Sequence, residues 1–343
     1  MNYLSAINRL SAAPGPSGFE GAVARVALDM LSPLVGEAYL DRMGNVVGLR
    51  PCGKPGAKKV LLDAHLDEIG FIITGQEEGY LRFAPLGGVD PRMLPDRELT
   101  VLTNPPRLGV VACLPPHIQS REDMDKSQPI SELYLDLGLT EDEAKAIPIG
   151  TPAVYRTGCL ALGKDLLSGK ALDDRACFVL LLRALELLEG EELDVDLVVL
   201  GSTQEETHST GAITAAYGLR PDLCVAVDVT HGDSPDASKD KTFPLGKGPV
   251  IGLGPNCTKW ISDLMRRCAK EMDLNVQLEV MSGSSGTNGW PLQVSREGIA
   301  TGVLSLPLRY MHTPIETAHQ GDMEDTARLL AEFIRRVGKE GAL

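Results

Sequence analysis

Leu4, Ile7 and Leu10 recur at helical spacing, which predicts a first helix over residues 3–12 that Pro14 and Gly15 stop. Val23, Val26, Ala27, Met30 and Leu31 mark a second helix, with Ser17 as its candidate N-cap and Glu20, three residues on, as the capping-box partner. Short strand patterns follow at 38–40 and 45–49. From Lys58 the chain reads KKVLLDAHLDEIGF, an apolar strand that runs into His65-Leu66-Asp67. Side chains alternate along a strand, so His65 and Asp67 are expected on one side.

Between about Glu68 and Lys164 the pattern changes. Short β-type runs at 71–74, 80–83, 99–102 and 109–113 are separated by Gly- and Pro-rich turns, which predicts a small all-β module. Within it the polar stretch 119–129 reads as a loop, and 140–147 as a short helix opened by Thr140 and Glu143. After Lys164, helices at 175–188, 211–217, 258–272 and 322–337 alternate with strands at 196–201, 223–229, 276–280 and 299–306. Such alternation predicts an α/β fold, a mixed and largely parallel sheet flanked by helices, with ligands at the carboxyl ends of its strands. The expected organisation is a main domain of residues 1–67 plus 165–343, interrupted by an inserted β-rich domain at 68–164.

Composition narrows the function. A chain of 343 residues, 43% hydrophobic and 23% charged, has the make-up of a globular protein with a sizeable core. A formal net charge of -14 argues against nucleic acid as a partner, since such binding needs clustered Lys and Arg. Seven cysteines without a CxxC pair fit a reducing compartment, the cytoplasm. No apolar run reaches the ~18 residues of a membrane span, and the first residues resemble no leader peptide. A soluble, membrane-free protein is therefore expected.

The chemistry gathers around VLGSTQEETHSTGA, residues 199–212, where Glu205 and Glu206 end an apolar run. Read as strand residues, the two glutamates point to opposite faces and are free to take different roles. Further residues at strand ends or loops suit a divalent metal: His65, Asp173 in LDDR, Asp228 closing the run LCVAV, and His312 after the Pro307–Arg309 turn. Taken alone, Asp173 serves equally as a helix cap and His65 as an interior histidine. A carboxylate at Asp228 is harder to account for in packing, because burying it unpaired is costly. Together with Glu206, these side chains suit two Zn, Co or Mn ions if one carboxylate bridges. Two such ions hold a hydroxide against a scissile carbonyl. Glu205, beside a ligand but free, becomes the candidate general base, and Asp67 the partner of the second nitrogen of His65.

The motifs HLDEIGF, GKALDDRA, QEE followed by TGA, VDVTH, SGTNG and RYMHTPIE, in that order, resemble the M42 family of metallo-aminopeptidases. GGVDPRMLPDRELTV and PISELYLDLG extend the resemblance into the insert. The resemblance implies that His65 and Asp228 hold one metal and Glu206 and His312 the other, with Asp173 bridging and Glu205 as base. It also implies a barrel-like insert that builds homo-oligomers, often dodecamers, and short peptides as substrates. Departures from the family pattern fall at Cys177, at 285–290 and at 207–209, so no residue preference is carried over. Within these segments His208 reads as a surface residue, and Asn288 as either a substrate contact or a turn former. His231 reads as support for the loop near Asp228. A metal-dependent N-acyl deacylase is the alternative activity, because its carbonyl poses the same problem. A glycan hydrolase, which needs spaced carboxylates, and an inactive assembly protein rank lower.

Overall fold

The computed structural model describes residues 1–120, 126–235 and 237–340. Helices α1 (Tyr3–Ser11) and α2 (Gly21–Leu31) open the chain, followed by strands β1 (Glu37–Leu40), β2 (Val46–Arg50) and β3 (Lys58–His65). Strands β4 (Gly70–Glu77), β5 (Tyr80–Leu86), β6 (Glu98–Val101), β7 (Arg107–Ala112), β8 (Tyr134–Asp136) and β9 (Pro152–Tyr155) come next, with α3 (Glu141–Lys145) between the last two. Then follow β10 (Leu160–Leu162), β11 (Leu166–Gly169), α4 (Leu172–Leu187), β12 (Val195–Ser202), α5 (Glu205–His208), α6 (Thr210–Leu219) and β13 (Leu223–His231). The chain closes with β14 (Val250–Leu253), α7 (Lys259–Glu271), β15 (Gln277–Val280), α8 (Gly289–Gln293), β16 (Ala300–Arg309), β17 (Glu316–His319) and α9 (Gln320–Glu340).

These strands form two sheets. An 11-stranded sheet runs β1-β2-β12-β3-β13-β16-β17-β11-β10, with β14 and β15 branching from β16. Its centre, β12-β3-β13-β16, is parallel throughout; the outer pairings are antiparallel except β14–β15, which is parallel. The mixed, largely parallel α/β sheet expected from the sequence is the one observed. The second sheet closes into a barrel of order β4-β5-β8-β7-β6-β9 around Phe71, whose ring meets Phe83 and Tyr155 edge-on. The segment 119–129 falls partly on residues 121–125, outside the described ones.

Alternation along the parallel strands divides the main core. Val60 and Leu62 of β3, Leu197 and Val199 of β12, and Val225 and Val227 of β13 face α1, α2, α4, α7 and α9. The intervening Leu61, Val198, Leu200, Cys224 and Ala226 pack with α6 and α8. Asp63 and His65 of β3 and Asp228 of β13 share the parity of this second set, so the polar ends of both strands emerge on one face.

The N-terminal helices are tied to the sheet through a buried polar clamp. Arg175, wholly buried at the start of α4, donates to the carbonyls of Leu10, Ala13 and Leu66 at 2.9 Å each, and to Glu68 Oε1 at 3.1 Å. Lys170 Nζ donates to the other Glu68 oxygen at 2.6 Å. A buried guanidinium this fully partnered holds the Leu66–Glu68 turn rigidly, because removing any partner strands a charge. Ser17 does not cap α2. Its hydroxyl lies 3.0 Å from Thr207 Oγ1, while Glu20 takes the cap position without a side-chain cap bond. Glu20 Oε1 instead accepts from the amides of Gly18 and Gln204, so this end of α2 braces the turn that carries Glu205. The capping box of Thr140 and Glu143 on α3 forms as expected.

Candidate metal centre

Four of the central parallel strands deliver the candidate ligands to one sheet edge. His65 ends β3, and Ser202, its register partner, ends β12 just before Glu205 and Glu206. Asp228 lies near the end of β13 opposite Ser305 of β16, and β16 leads to His312. Asp173 enters from the first turn of α4, behind the sheet. Convergence of four strand ends at one edge is where open α/β sheets place their ligands.

The glutamate pair is arranged differently from the strand-end expectation. β12 ends at Ser202, Gln204 adopts a left-handed backbone (φ 59°), and Glu205 and Glu206 begin the one-turn helix α5. The carboxylate of Asp67 caps this turn, accepting from Glu205 N–H at 3.0 Å and Glu206 N–H at 3.1 Å. Ala171 and His312 also have positive φ, at 58° and 62°. Three segments that carry candidate ligands thus include a non-glycine residue in a conformation that L-residues rarely adopt, a pattern typical of sites where surrounding structure over-determines the geometry.

At the centre stands Asp173. Its Oδ1 faces His65 Nε2 at 3.1 Å and its Oδ2 faces His312 Nε2 at 3.3 Å. Glu206 Oε2 is 3.3 Å from His312 Nε2, and Glu205 Oε2 is 3.9 Å from His65 Nε2. The other imidazole nitrogens settle the tautomers. His65 Nδ1 lies 3.1 Å from the carbonyl of Asp67 and His312 Nδ1 lies 2.9 Å from the carbonyl of Gly88. A carbonyl only accepts, so both Nδ1 atoms donate and both neutral rings direct an Nε2 lone pair toward carboxylate oxygens. In the metal-free protein a proton on Nε2 satisfies each of these contacts, and a bound cation takes the place of those protons. Asp67 therefore orients His65 mainly through its carbonyl; its carboxylate stands 3.4 Å away and serves the α5 amides.

Electrostatics point the same way. Burial pushes Asp228 up to about 7 and Glu205 up to about 8, and drives Glu206 well above the carboxylate range. Asp173 goes the other way: burial opposes its charge, but hydrogen bonds from His312 and His65 outweigh that and hold it below its ordinary value. Burial disfavours a charged His65, yet its contacts with Asp173 and Asp67 raise it well above the usual imidazole range. Among the described residues no Lys or Arg lines the cleft that holds these acids. His65, Asp173 and Glu206 bring ligand atoms within 4.8 Å of one another, as do His65, Asp174 and Asp228. Mixed imidazole and carboxylate donors at this spacing fit Zn, Co or Mn.

Two further acids support the cluster. Asp174 Oδ2 accepts from the His65 amide at 3.2 Å, and its buried Oδ1 has no partner. Glu316, also buried, accepts from the Asp173 amide at 3.1 Å and the His312 amide at 2.9 Å, tying two candidate ligands to one carboxylate. In sequence, Asp174 is marked only by its neighbour and Glu316 only by its place in RYMHTPIE. Asn288 is buried and donates to Asp63 Oδ2 at 2.8 Å and Ser202 Oγ at 3.0 Å, a prop beneath the strand ends rather than a turn cap. His208 is exposed; His231, also exposed, lines the cleft.

The barrel reaches the site through Gly87 and Gly88, after β5. Gly87 has φ +85°, and a Cβ there would lie 3.3 Å from the Glu206 carboxylate; a Cβ on Gly88 would lie 2.8 Å from His312 Nδ1. Gly88→Ala is expected to displace His312 and lower activity by roughly 10- to 100-fold, as loss of a histidine-orienting partner does. Activity within twofold of wild type, with unchanged metal content, would show that the carbonyl contact is dispensable.

Comparison with known proteins assigns the class. The family model described as M42 glutamyl aminopeptidase matches residues 44–329. A lysyl aminopeptidase of Pyrococcus furiosus is 34% identical over 340 residues, 96% of each chain. An aminopeptidase of the archaeon Desulfurococcus kamchatkensis superposes with a TM-score of 0.89 at 33% identity, covering 97% of this chain and 94% of that one. The TET1 peptidase of Pyrococcus horikoshii, which can assemble into a tetrahedron or a large octahedral shell, gives 0.85 at 27% identity over 98% and 100% of the two chains. Fold, site and relatives agree on an aminopeptidase, a hydrolase acting on peptide bonds. The chain belongs to the M42 family of metal-dependent aminopeptidases.

Proposed function

We propose that this protein removes N-terminal residues from short peptides with two divalent ions, Zn or Co in the first instance. The observation that carries the reading is Asp173, one carboxylate whose two oxygens face two different histidines. His65 and Asp228 would hold one ion, Glu206 and His312 the other, with Asp173 shared. Bound there, the ions supply Lewis acidity toward the scissile carbonyl. The chain's own groups do the rest. Glu205, half-buried and lifted toward neutrality, takes a proton from the attacking water as its oxygen bonds to the carbonyl carbon. As the C–N bond breaks, the same carboxyl returns the proton to the leaving amine. Asp67 fixes Glu205 by capping α5, and with its carbonyl fixes the tautomer of His65.

The acidic cleft also explains the exopeptidase character of this reading: a free α-ammonium is drawn in, whereas a carboxylate terminus is repelled. Unblocked di- to tetrapeptides are therefore expected to be hydrolysed and their N-acetylated forms spared, as followed by amine release. Hydrolysis of the acetylated substrates alone would replace this reading with that of a deacylase.

The proposed division places the catalytic domain in residues 1–67 plus 165–343 and an assembly domain in 68–164, whose barrel spans β4 to β9 while its last strand, β10, pairs with β11 in the main sheet. Leu108 and Val110, on one face of β7, are large apolar residues exposed on the barrel, which supports a homo-oligomeric role. Among the described residues no helix is long and apolar enough to cross a membrane. The names of the relatives point to both glutamyl and lysyl substrates and leave residue preference open.

A further inference from the structure

The metal-ligand cluster occupies one end of a cleft of about 390 Å³. The other end is made by residues the proposed reaction does not use: Thr230 and His231 at the end of β13, Glu279 and Met281 on and after β15, and the 285–287 turn. β15 is a sheet-edge strand whose alternate residues Leu278 and Val280 are exposed, so Gln277 and Glu279 face the opposite way, and Glu279 lines the cleft. Its carboxylate is partly buried and takes a hydrogen bond from the side chain of Thr230, itself buried. Among the described residues no Lys or Arg lies within ion-pairing distance of Glu279, and none lines the cleft. His231 is its nearest basic neighbour, exposed and able to turn to solvent.

From this placement we infer that Glu279 selects the substrate, and that the enzyme prefers peptides beginning with lysine or arginine. The inference rests on the aminopeptidase reading, since it assigns the far end of the cleft to the side chain of the residue being released. Met281, one position beyond β15, and Met311, beside His312, also line the cleft with flexible apolar surface, which suits the methylene stem of a long cationic side chain whose head Glu279 meets. An aspartate or glutamate side chain would face a carboxylate with no Lys or Arg to offset it. Glu279 keeps Thr230 and the exposed His231 as its neighbours, and a lysine or arginine head would add a charge-assisted partner to this half-buried carboxylate.

Initial rates with lysyl, arginyl, leucyl and glutamyl p-nitroanilides on the metal-loaded enzyme test the inference. The basic substrates are expected to exceed the glutamyl one in kcat/KM by roughly 10- to 100-fold, the scale on which a charge-matched site discriminates. Glu279→Gln should collapse the lysyl-to-leucyl ratio, mainly through KM, and Glu279→Lys should invert the lysyl-to-glutamyl ratio. Free L-lysine should inhibit the wild type more strongly than free L-glutamate, a measurement that needs no variant. Turnover of the leucyl substrate with no basic preference, or an equal fall for all substrates in Glu279→Gln, overturns the inference alone. No turnover of any anilide overturns it together with the aminopeptidase reading.

Discussion

Glu205→Gln is expected to lower kcat by about 10²- to 10⁴-fold, the usual contribution of a positioned general base, while binding the same amount of metal as the wild type. The split follows from position. Glu205 begins α5 with its amide held by Asp67, and its carboxylate stands 3.9 Å from His65 Nε2, against 3.3 Å between Glu206 and His312. Burial raises it to about 8, so it exchanges protons near neutral pH instead of remaining a fixed anion. The amide of glutamine preserves shape and donors around α5 but accepts no proton. Retained turnover in this variant would remove Glu205 from the proton path, and loss of metal would make it a ligand. Metal content by elemental analysis beside kcat separates these outcomes.

Removal of the metals is expected to abolish turnover, and their return to depend on pH with a definite sign. In the metal-free protein burial raises Asp228 to about 7 and Glu206 well above its ordinary range, so both hold protons below neutrality. A metal must displace those protons. Affinity should therefore rise with pH through neutrality, falling about tenfold per pH unit below 7 for each proton released. The same shifts imply that the metal-free fold binds protons more tightly than the unfolded chain. Its stability should decline as pH rises from about 4 through 7, as buried acids are forced to ionise. Bound cations reverse that penalty.

Much of this candidate site is legible in the sequence because parallel strands end where open α/β sheets gather their ligands. The apolar runs of β3, β12 and β13 are continuous enough to mark buried strands, and His65, Glu205, Glu206 and Asp228 follow from where those runs stop. The amphipathic pattern of α9 likewise marks its helix closely, with Leu329, Leu330, Phe333, Ile334 and Val337 buried. Local rules failed where tertiary contacts decide. Ser17 is a sound N-cap by spacing, yet its hydroxyl is engaged by Thr207 from a segment 190 residues away. Glu205 and Glu206 read as strand residues because nothing local announces the left-handed turn at Gln204, which Asn45 stabilises from outside by accepting from the Thr203 amide.

Other features have no local signal at all. Glu316 matters because its two oxygens reach two amides, one 143 residues distant. Gly88 looks like any turn glycine, and its carbonyl becomes the partner of His312 only when the barrel packs against the sheet edge. Strands β10, β11 and β17 are three or four residues long, too short for a periodic pattern, and exist by pairing with one another. Glu279 belongs to the same class: a polar residue on a short edge strand, significant only because β15 borders the cleft.

The central claim is that Asp173 is shared between two ions that the reaction requires. The most direct test is to strip the full-length protein with a chelator, dialyse, and titrate it with Zn or Co while recording bound metal per chain and hydrolysis of an unblocked peptide together. The account predicts two ions per chain, with turnover absent in the stripped protein and restored as the sites fill. Turnover that survives complete stripping, saturation at one ion per chain, or a fully metallated protein that cleaves no unblocked peptide would contradict it.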